Sequence, residues 1–218
     1  MNRQEIRSRI ETVGIVPSIR VSSMEDALFA AEAVAKGGIP ILDIALTVPG
    51  AIQVIADVVQ REPAWLVGAG GVTDVESARR CLDAGAQFLT SDGFDPDTVK
   101  FAVQQGVVIF PGVLTPTEVS AAWKLAPDFV KIVPCGPIGG PKYFGFLRTM
   151  FPQIPLIPAG GVNQQNAFDF IRAGAVALGA GRELLPREAI RNREPGQIAE
   201  LAQRFLQSVR SARAEFGL

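Results

Sequence analysis

One unit recurs along this chain: an amphipathic helix, a glycine, then four to six apolar residues. It appears as Ala35-Lys36-Gly37-Gly38 before Ile39-Pro40-Ile41-Leu42, and as Asp83-Ala84-Gly85 before Gln87-Phe88-Leu89. It returns as Gln104-Gln105-Gly106 before Val107-Val108-Ile109-Phe110, and as Arg172-Ala173-Gly174 before Val176-Ala177-Leu178. Each glycine suits a left-handed helix C-cap, after which the chain turns into a strand. Short apolar strands alternating with helices argue for a parallel sheet covered on both faces. Strand candidates fall near 16–21, 41–46, 65–70, 87–91, 107–111, 129–134, 155–159 and 175–179. Eight such units close most naturally into an α/β fold of the (β/α)8 TIM-barrel type. A helix over 3–11 precedes the barrel, and a long amphipathic helix over 197–216 closes it. With no linker or low-complexity tract, residues 1–218 read as a single domain. An open doubly wound sheet is the competing architecture, but it wants fewer strands and a dinucleotide fingerprint after the first. Gly68-Ala69-Gly70-Gly71 follows the third strand and lacks the GxGxxG spacing.

Composition narrows the chemistry. The chain is 48% hydrophobic and 20% charged with a net charge of −1, so there is no basic excess for nucleic acid and no polybasic segment for a membrane surface. The polar N-terminus and the lack of an apolar run of about 18 residues point to a cytoplasmic protein. Histidine is absent, which removes Ser-His and Cys-His nucleophile pairs and the usual zinc ligand sets. Cys81 and Cys135 lie far apart in no CxxC arrangement and read as reduced, inert thiols. No cofactor is called for, and no metal: a magnesium site would need a cluster of Asp or Glu that the sequence does not display. Chemistry must run on lysine, carboxylates, hydroxyls and backbone amides.

Lys131 stands out against this background, in the apolar run Phe129-Val130-Lys131-Ile132-Val133-Pro134. Burial disfavours an ammonium and pushes a lysine toward the neutral amine, a nucleophile that forms Schiff bases with carbonyl substrates. The alternative is a structural lysine, paired with a buried carboxylate or snorkelling out of the strand end. Period-two alternation places Phe129, Lys131 and Val133 inward. By the same logic Ile41, Asp43 and Ala45 face inward in the second strand, and Ser18 and Arg20 in the first. Arg20 and Asp43 could simply neutralise each other. A lysine, an aspartate and an arginine in one interior are nonetheless more than packing requires.

The later strands end in glycine: Ile157-Pro158-Ala159-Gly160-Gly161, then Leu178-Gly179-Ala180-Gly181-Arg182, with a short helical stretch expected at Glu183-Leu184-Leu185. Barrels commonly bind phosphate at this position, on exposed backbone N–H groups and a short helix N-terminus. Arg182 adds a cation there.

From about Val16 to Pro186 the chain resembles the 2-keto-3-deoxy-6-phosphogluconate (KDPG) aldolases and their 4-hydroxy-2-oxoglutarate aldolase relatives. The resemblance rests on the runs Gly38 to Leu46, Val67 to Val72, Phe110-Pro111-Gly112-Val113, Val130 to Pro134 and Pro158 to Val162. It implies a homotrimeric, metal-free class I aldolase cleaving a small keto-acid substrate to pyruvate and an aldehyde, glyceraldehyde 3-phosphate for KDPG itself. Lys131 matches the Schiff-base lysine, and Asp43 falls where the family has its glutamate base. Pro134, Gly160, Gly161, Gly181 and Arg182 fall in the substrate-binding set, the glycines and Arg182 at the phosphate end.

Three departures bear on that carry-over. Asp43 is one methylene shorter than glutamate, so a bridging water or a closer substrate is needed. Thr47 stands where an arginine usually holds the substrate carboxylate, and Gly71 where a threonine assists it. Arg20 is the candidate replacement, since an arginine–carboxylate contact is charge-assisted. Cleavage of an unphosphorylated 4-hydroxy-2-oxo acid is the alternative activity. A non-catalytic sugar-phosphate-binding or trimeric barrel is the alternative class.

Overall fold

The computed structural model describes residues 1–217. Helix α1 (Arg3–Val13) opens the chain. It starts in a capping box in which the Asn2 side chain accepts from the Glu5 N–H and the Glu5 carboxylate accepts from the Asn2 N–H. Strand β1 (Ile15–Ile19), α2 (Met24–Lys36), β2 (Ile41–Ala45), α3 (Ala51–Arg61), β3 (Leu66–Gly70), α4 (Val75–Asp83), β4 (Phe88–Thr90), α5 (Pro96–Gln104) and β5 (Val108–Phe110) follow in strict alternation. Then come β6 (Gly112–Val113), α6 (Pro116–Trp123), β7 (Val130–Ile132), α7 (Gly140–Met150), β8 (Leu156–Pro158), α8 (Ala167–Arg172) and β9 (Leu178–Ala180). Helices α9 (Arg187–Arg191) and α10 (Pro195–Phe216) end it. Among the described residues, no helix is long and apolar enough to cross a membrane.

All strand pairs are parallel. They form a curled six-stranded sheet ordered β5-β4-β3-β2-β1-β9 and a three-stranded sheet ordered β6-β7-β8. Strands β5 and β6 are separated by Pro111 alone, whose missing N–H interrupts the ladder. On the far edge the Val176 N–H donates to the Leu156 carbonyl at 3.2 Å.

The glycine turns sit where the repeat places them, with one correction. Gly85, Gly106 and Gly174 have φ of +96°, +68° and +93° after their helices, but at the end of α2 it is Gly38, not Gly37, that is left-handed (φ +93°). Gly37 is required for another reason: a Cβ there would lie 2.5 Å from the Ala202 Cβ, so only glycine lets α10 approach α2.

The interior beside β4, β5 and β7 is filled by aromatic packing. Phe88 stacks on Phe110 at 5.5 Å between ring centroids, and Phe110 meets Phe129 edge-on at 4.9 Å. Gly68 makes room for that cluster, since a Cβ there would lie 2.4 Å from the Phe88 ring. Below it, buried Asp128 accepts from the Ile109 N–H at 3.2 Å and pairs with Arg3 at 2.8 Å, pinning α1 under the sheet. A cavity of about 520 Å³ lined by Arg3, Arg7 and Trp123 lies beside α1, away from the ionisable cluster described next.

Candidate active site

Lys131 and Asp43 project from mid-strand positions, and the other residues expected at the site follow the C-terminal ends of strands, the end where barrel-type enzymes place their chemistry. Lys131 is the central residue of β7, in register with Gly112 on β6 and Ile157 on β8. Its side chain is 8% exposed. The amine does not stand alone: Nζ lies 2.8 Å from Asp92 Oδ1 and 3.4 Å from Thr90 Oγ1. A carboxylate does pair with this lysine, but it is not the buried one that the structural alternative calls for. That carboxylate is itself 46% exposed and sits at the mouth of the site.

Asp43 faces the interior from the middle of β2, as alternation expects, and is 4% exposed. Its Oδ2 accepts from the Thr90 hydroxyl at 3.1 Å. Oδ1 has no hydrogen-bond partner among the described residues. Burial raises the carboxyl from 3.8 to about 6, against the opposing pull of Lys131 and the Thr90 hydrogen bond. Gly70 makes the placement possible, since a Cβ on it would fall 2.6 Å from Asp43 Oδ1. Thr90 thus stands between the amine and the buried carboxylate.

Arg20 differs from expectation. It follows the last residue of β1, so its side chain lies at the rim, 51% exposed, rather than inside. It does not neutralise Asp43: its NH2 group binds Asp92 Oδ2 at 2.8 Å. Asp92 consequently bridges the arginine and the lysine, one oxygen to each. Desolvation, the largest single influence on Asp92, pushes its carboxyl up, but Lys131 and Arg20 together prevail and hold it below the usual range.

The remaining expected residues lie in the segments that follow β2, β3, β7, β8 and β9. Thr47 is exposed in the turn after β2. Gly71, φ +72°, follows β3 and would point a Cβ into open space. Pro134 lies against Gly160, where a Cβ would be 3.0 Å from the Pro134 Cα. Gly160 and Gly161 are left-handed at φ +70° and +92°, and their N–H groups have no acceptor among the described residues. Gly181 and Arg182 follow β9, with Arg182 exposed. The helical stretch expected at 183–185 is instead a single turn, in which the Leu184 and Leu185 N–H groups return to the Gly181 carbonyl. Proline at 186 fits the first residue before a helix but has no N–H to extend the preceding turn, so α9 begins only at Arg187.

The thiols behave as expected of inert groups. Both are buried, and burial pushes Cys81 up to about 11 and Cys135 to about 12, keeping them protonated and poorly nucleophilic.

The family model for KDPG and KHG aldolase matches residues 6–201. The chain belongs to that aldolase family. A 2-dehydro-3-deoxy-phosphogluconate aldolase of Treponema pallidum is 30% identical to it, covering 92% of this chain and 95% of the relative. KDPG aldolase of Legionella pneumophila, crystallised with pyruvate captured as a covalent carbinolamine, superposes with a TM-score of 0.84. It shares 28% identity, covering 91% of this chain and 96% of that one. The Zymomonas mobilis aldolase, crystallised with 3-phosphoglycerate, also gives 0.84 at 26% identity, covering 93% and 95%.

Against that family background, Thr90 and Asp92 are the site residues that sequence reasoning passed over. The segment Thr90-Ser91-Asp92-Gly93 reads as turn chemistry closing a strand. The available signal was the alternation itself: with Phe88 inward, Thr90 must face inward two residues later.

Proposed function

We propose that this aldolase-family chain is a class I, Schiff-base enzyme that cleaves a 2-keto-3-deoxy-6-phospho sugar acid to pyruvate and glyceraldehyde 3-phosphate. The observation that carries the reading is a lysine amine within a strand, 8% exposed, linked through the Thr90 hydroxyl to a buried aspartate. The Legionella relative, with pyruvate bound as a carbinolamine, supports the covalent route.

In this mechanism the deprotonated Lys131 amine adds its lone pair to C2 of the keto acid. The C2 oxygen takes up protons and leaves as water, and a protonated imine joins Nζ to C2. Asp43 accepts the C4 hydroxyl proton, directly or through Thr90. The C4 carbonyl forms as the C3–C4 bond breaks, and the electron pair passes through C3 and C2 onto nitrogen, leaving a neutral enamine. Asp43 returns its proton to C3, water adds at C2, and pyruvate departs as the amine is regenerated. A carboxyl near 6 suits both halves of this exchange, because general acid–base catalysis is most effective with a group that titrates near the working pH.

Arg20 holds the substrate carboxylate in place of the missing arginine at Thr47, since only one of its nitrogens is engaged by Asp92. Thr47, Gly71 and Pro134 line the mouth. Phosphate binds at the free N–H groups of Gly160 and Gly161 beside Gly181 and Arg182. The single turn after Gly181, in place of a helix N-terminus, favours a second reading in which an unphosphorylated 4-hydroxy-2-oxo acid is cleaved.

The two sheets are arcs of one (β/α)8 barrel forming a single domain. The reading is supported by the one-residue break at Pro111 and by the Val176–Leu156 hydrogen bond on the opposite side. Exposed Phe146 and Met150 on α7 offer an apolar face for the homotrimer that the resemblance implies. The deciding assay is pyruvate release from KDPG with chelator present. Turnover is expected to persist in chelator and to vanish in Lys131→Ala; turnover lost to chelator would contradict the mechanism.

A further inference from the structure

We propose that Asp92 is a catalytic residue of this site, the counter-ion of the protonated imine on Lys131, with a task separate from the proton transfers of Asp43. The inference rests on the Schiff-base reading above. Asp92 Oδ1 lies 2.8 Å from the nitrogen that enters the imine, and Oδ2 is held 2.8 Å from Arg20. A carboxylate fixed through both oxygens keeps its charge beside Nζ while C2 changes its bonding.

The charged groups facing Asp92 are Lys131 on β7, Arg20 after β1 and, behind Thr90, Asp43 on β2. The two carboxyls are displaced in opposite directions, Asp43 upward and Asp92 downward. Environments that drive two titrating groups apart divide the labour between them. Asp92 stays ionised and acts by charge. Asp43 exchanges protons.

The consequence for the reaction is specific. The lysine ammonium and the protonated imine carry the same charge at the same nitrogen, so Asp92 favours neither over the other. What it disfavours is the neutral imine, the form that cannot draw the C3–C4 electron pair onto nitrogen. Its contribution is therefore confined to the alkaline side, where the imine would otherwise lose its proton. A residue that merely shaped the pocket would lower imine formation at every pH.

The test is cyanoborohydride trapping of pyruvate by the intact protein. The fraction of chain carrying a reduced adduct on Lys131 is followed against pH in wild type, Asp92→Asn, Asp92→Ser and Asp92→Glu. Loss of charge in the Asn and Ser variants is expected to move the alkaline limb toward acid by about one pH unit, a tenfold effect, with trapping below the limb retained. Glu, which keeps the charge, is expected to leave the limb near its wild-type position. Asp92 is half-exposed beyond the end of β4, and two different neutral side chains guard against a fault of either one. An unmoved limb in both neutral variants, or a uniform fall at all pH values, overturns the proposal while leaving the Schiff base intact. Absence of any wild-type adduct on Lys131 overturns the Schiff-base reading and this role with it.

Discussion

Replacing Asp43 with asparagine separates the cost of the buried acid from its use. In the fold the carboxyl is raised from 3.8 to about 6, mainly by burial, and one of its oxygens has no hydrogen-bond partner among the described residues. A carboxyl raised in the folded state contributes its stability fully below the unfolded value and loses it as pH rises through the folded value. The displacement is about two units, each worth about 1.4 kcal/mol, so ionised Asp43 weakens the fold by roughly 3 kcal/mol at neutral pH relative to acid. Asparagine does not titrate. Whatever its own packing contributes is the same at both ends of the range, so the stability difference between Asp43→Asn and wild type isolates the carboxyl. Urea unfolding at about pH 4 and about pH 8, at fixed protein concentration, should show the variant gaining on wild type by roughly 2.4 kcal/mol, less than the full value of about 3 because pH 4 lies just above the unfolded value, with aldolase turnover lost at both. A difference that stays flat with pH would refute the raised carboxyl and, with it, the choice of Asp43 as a base poised near neutrality.

Thr90→Val removes the donor to ionised Asp43 at nearly constant volume. The acid limb of kcat is expected to move toward alkali by roughly one unit, because a hydrogen bond to a charged group is worth about 1.5–3 kcal/mol; an unmoved limb would exclude Thr90 from the proton path. Arg20→Ala is expected to raise KM for keto acids by roughly tenfold to a hundredfold through loss of a charge-assisted contact, with a smaller effect on kcat. Steady-state kinetics with an unchanged KM would remove Arg20 from the carboxylate site. Arg182→Ala distinguishes the two substrate readings: KM rises for a phosphorylated keto acid and stays constant for a 4-hydroxy-2-oxo acid, measured side by side.

The strands were legible because each apolar run is announced by a helix end and a glycine, and strand residues 41–45 and 66–70 fall inside the expected ranges. Pro111 is a case where the local rule was visible but its effect was not: the strand expected over 107–111 stops at Phe110 as β5, and the short β6 (Gly112–Val113) beyond the proline was not expected. Lys131 and Asp43 were legible as inward residues because period-two alternation is rigid within a strand. Arg20 was not, since alternation stops being informative once the strand ends, and one residue beyond β1 the side chain turns to the rim. Asp92 escaped for the same reason. Its partners, Lys131 and Arg20, are 39 and 72 residues away, and such pairings arise from the order of strands around the sheet rather than from any local pattern. The roles of Gly68 and Gly70 also needed coordinates. In sequence they resemble a weak dinucleotide loop, whereas in the fold they vacate the space taken by the Phe88 ring and the Asp43 carboxylate.

The most direct test of the Schiff base is to reduce the protein with borohydride in the presence of pyruvate and map the modified peptide by mass spectrometry. A reduced pyruvate adduct on Lys131, lost in Lys131→Ala, is the predicted result. No adduct, or adducts spread over Lys36, Lys100, Lys124 and Lys142 without preference for Lys131, would contradict it.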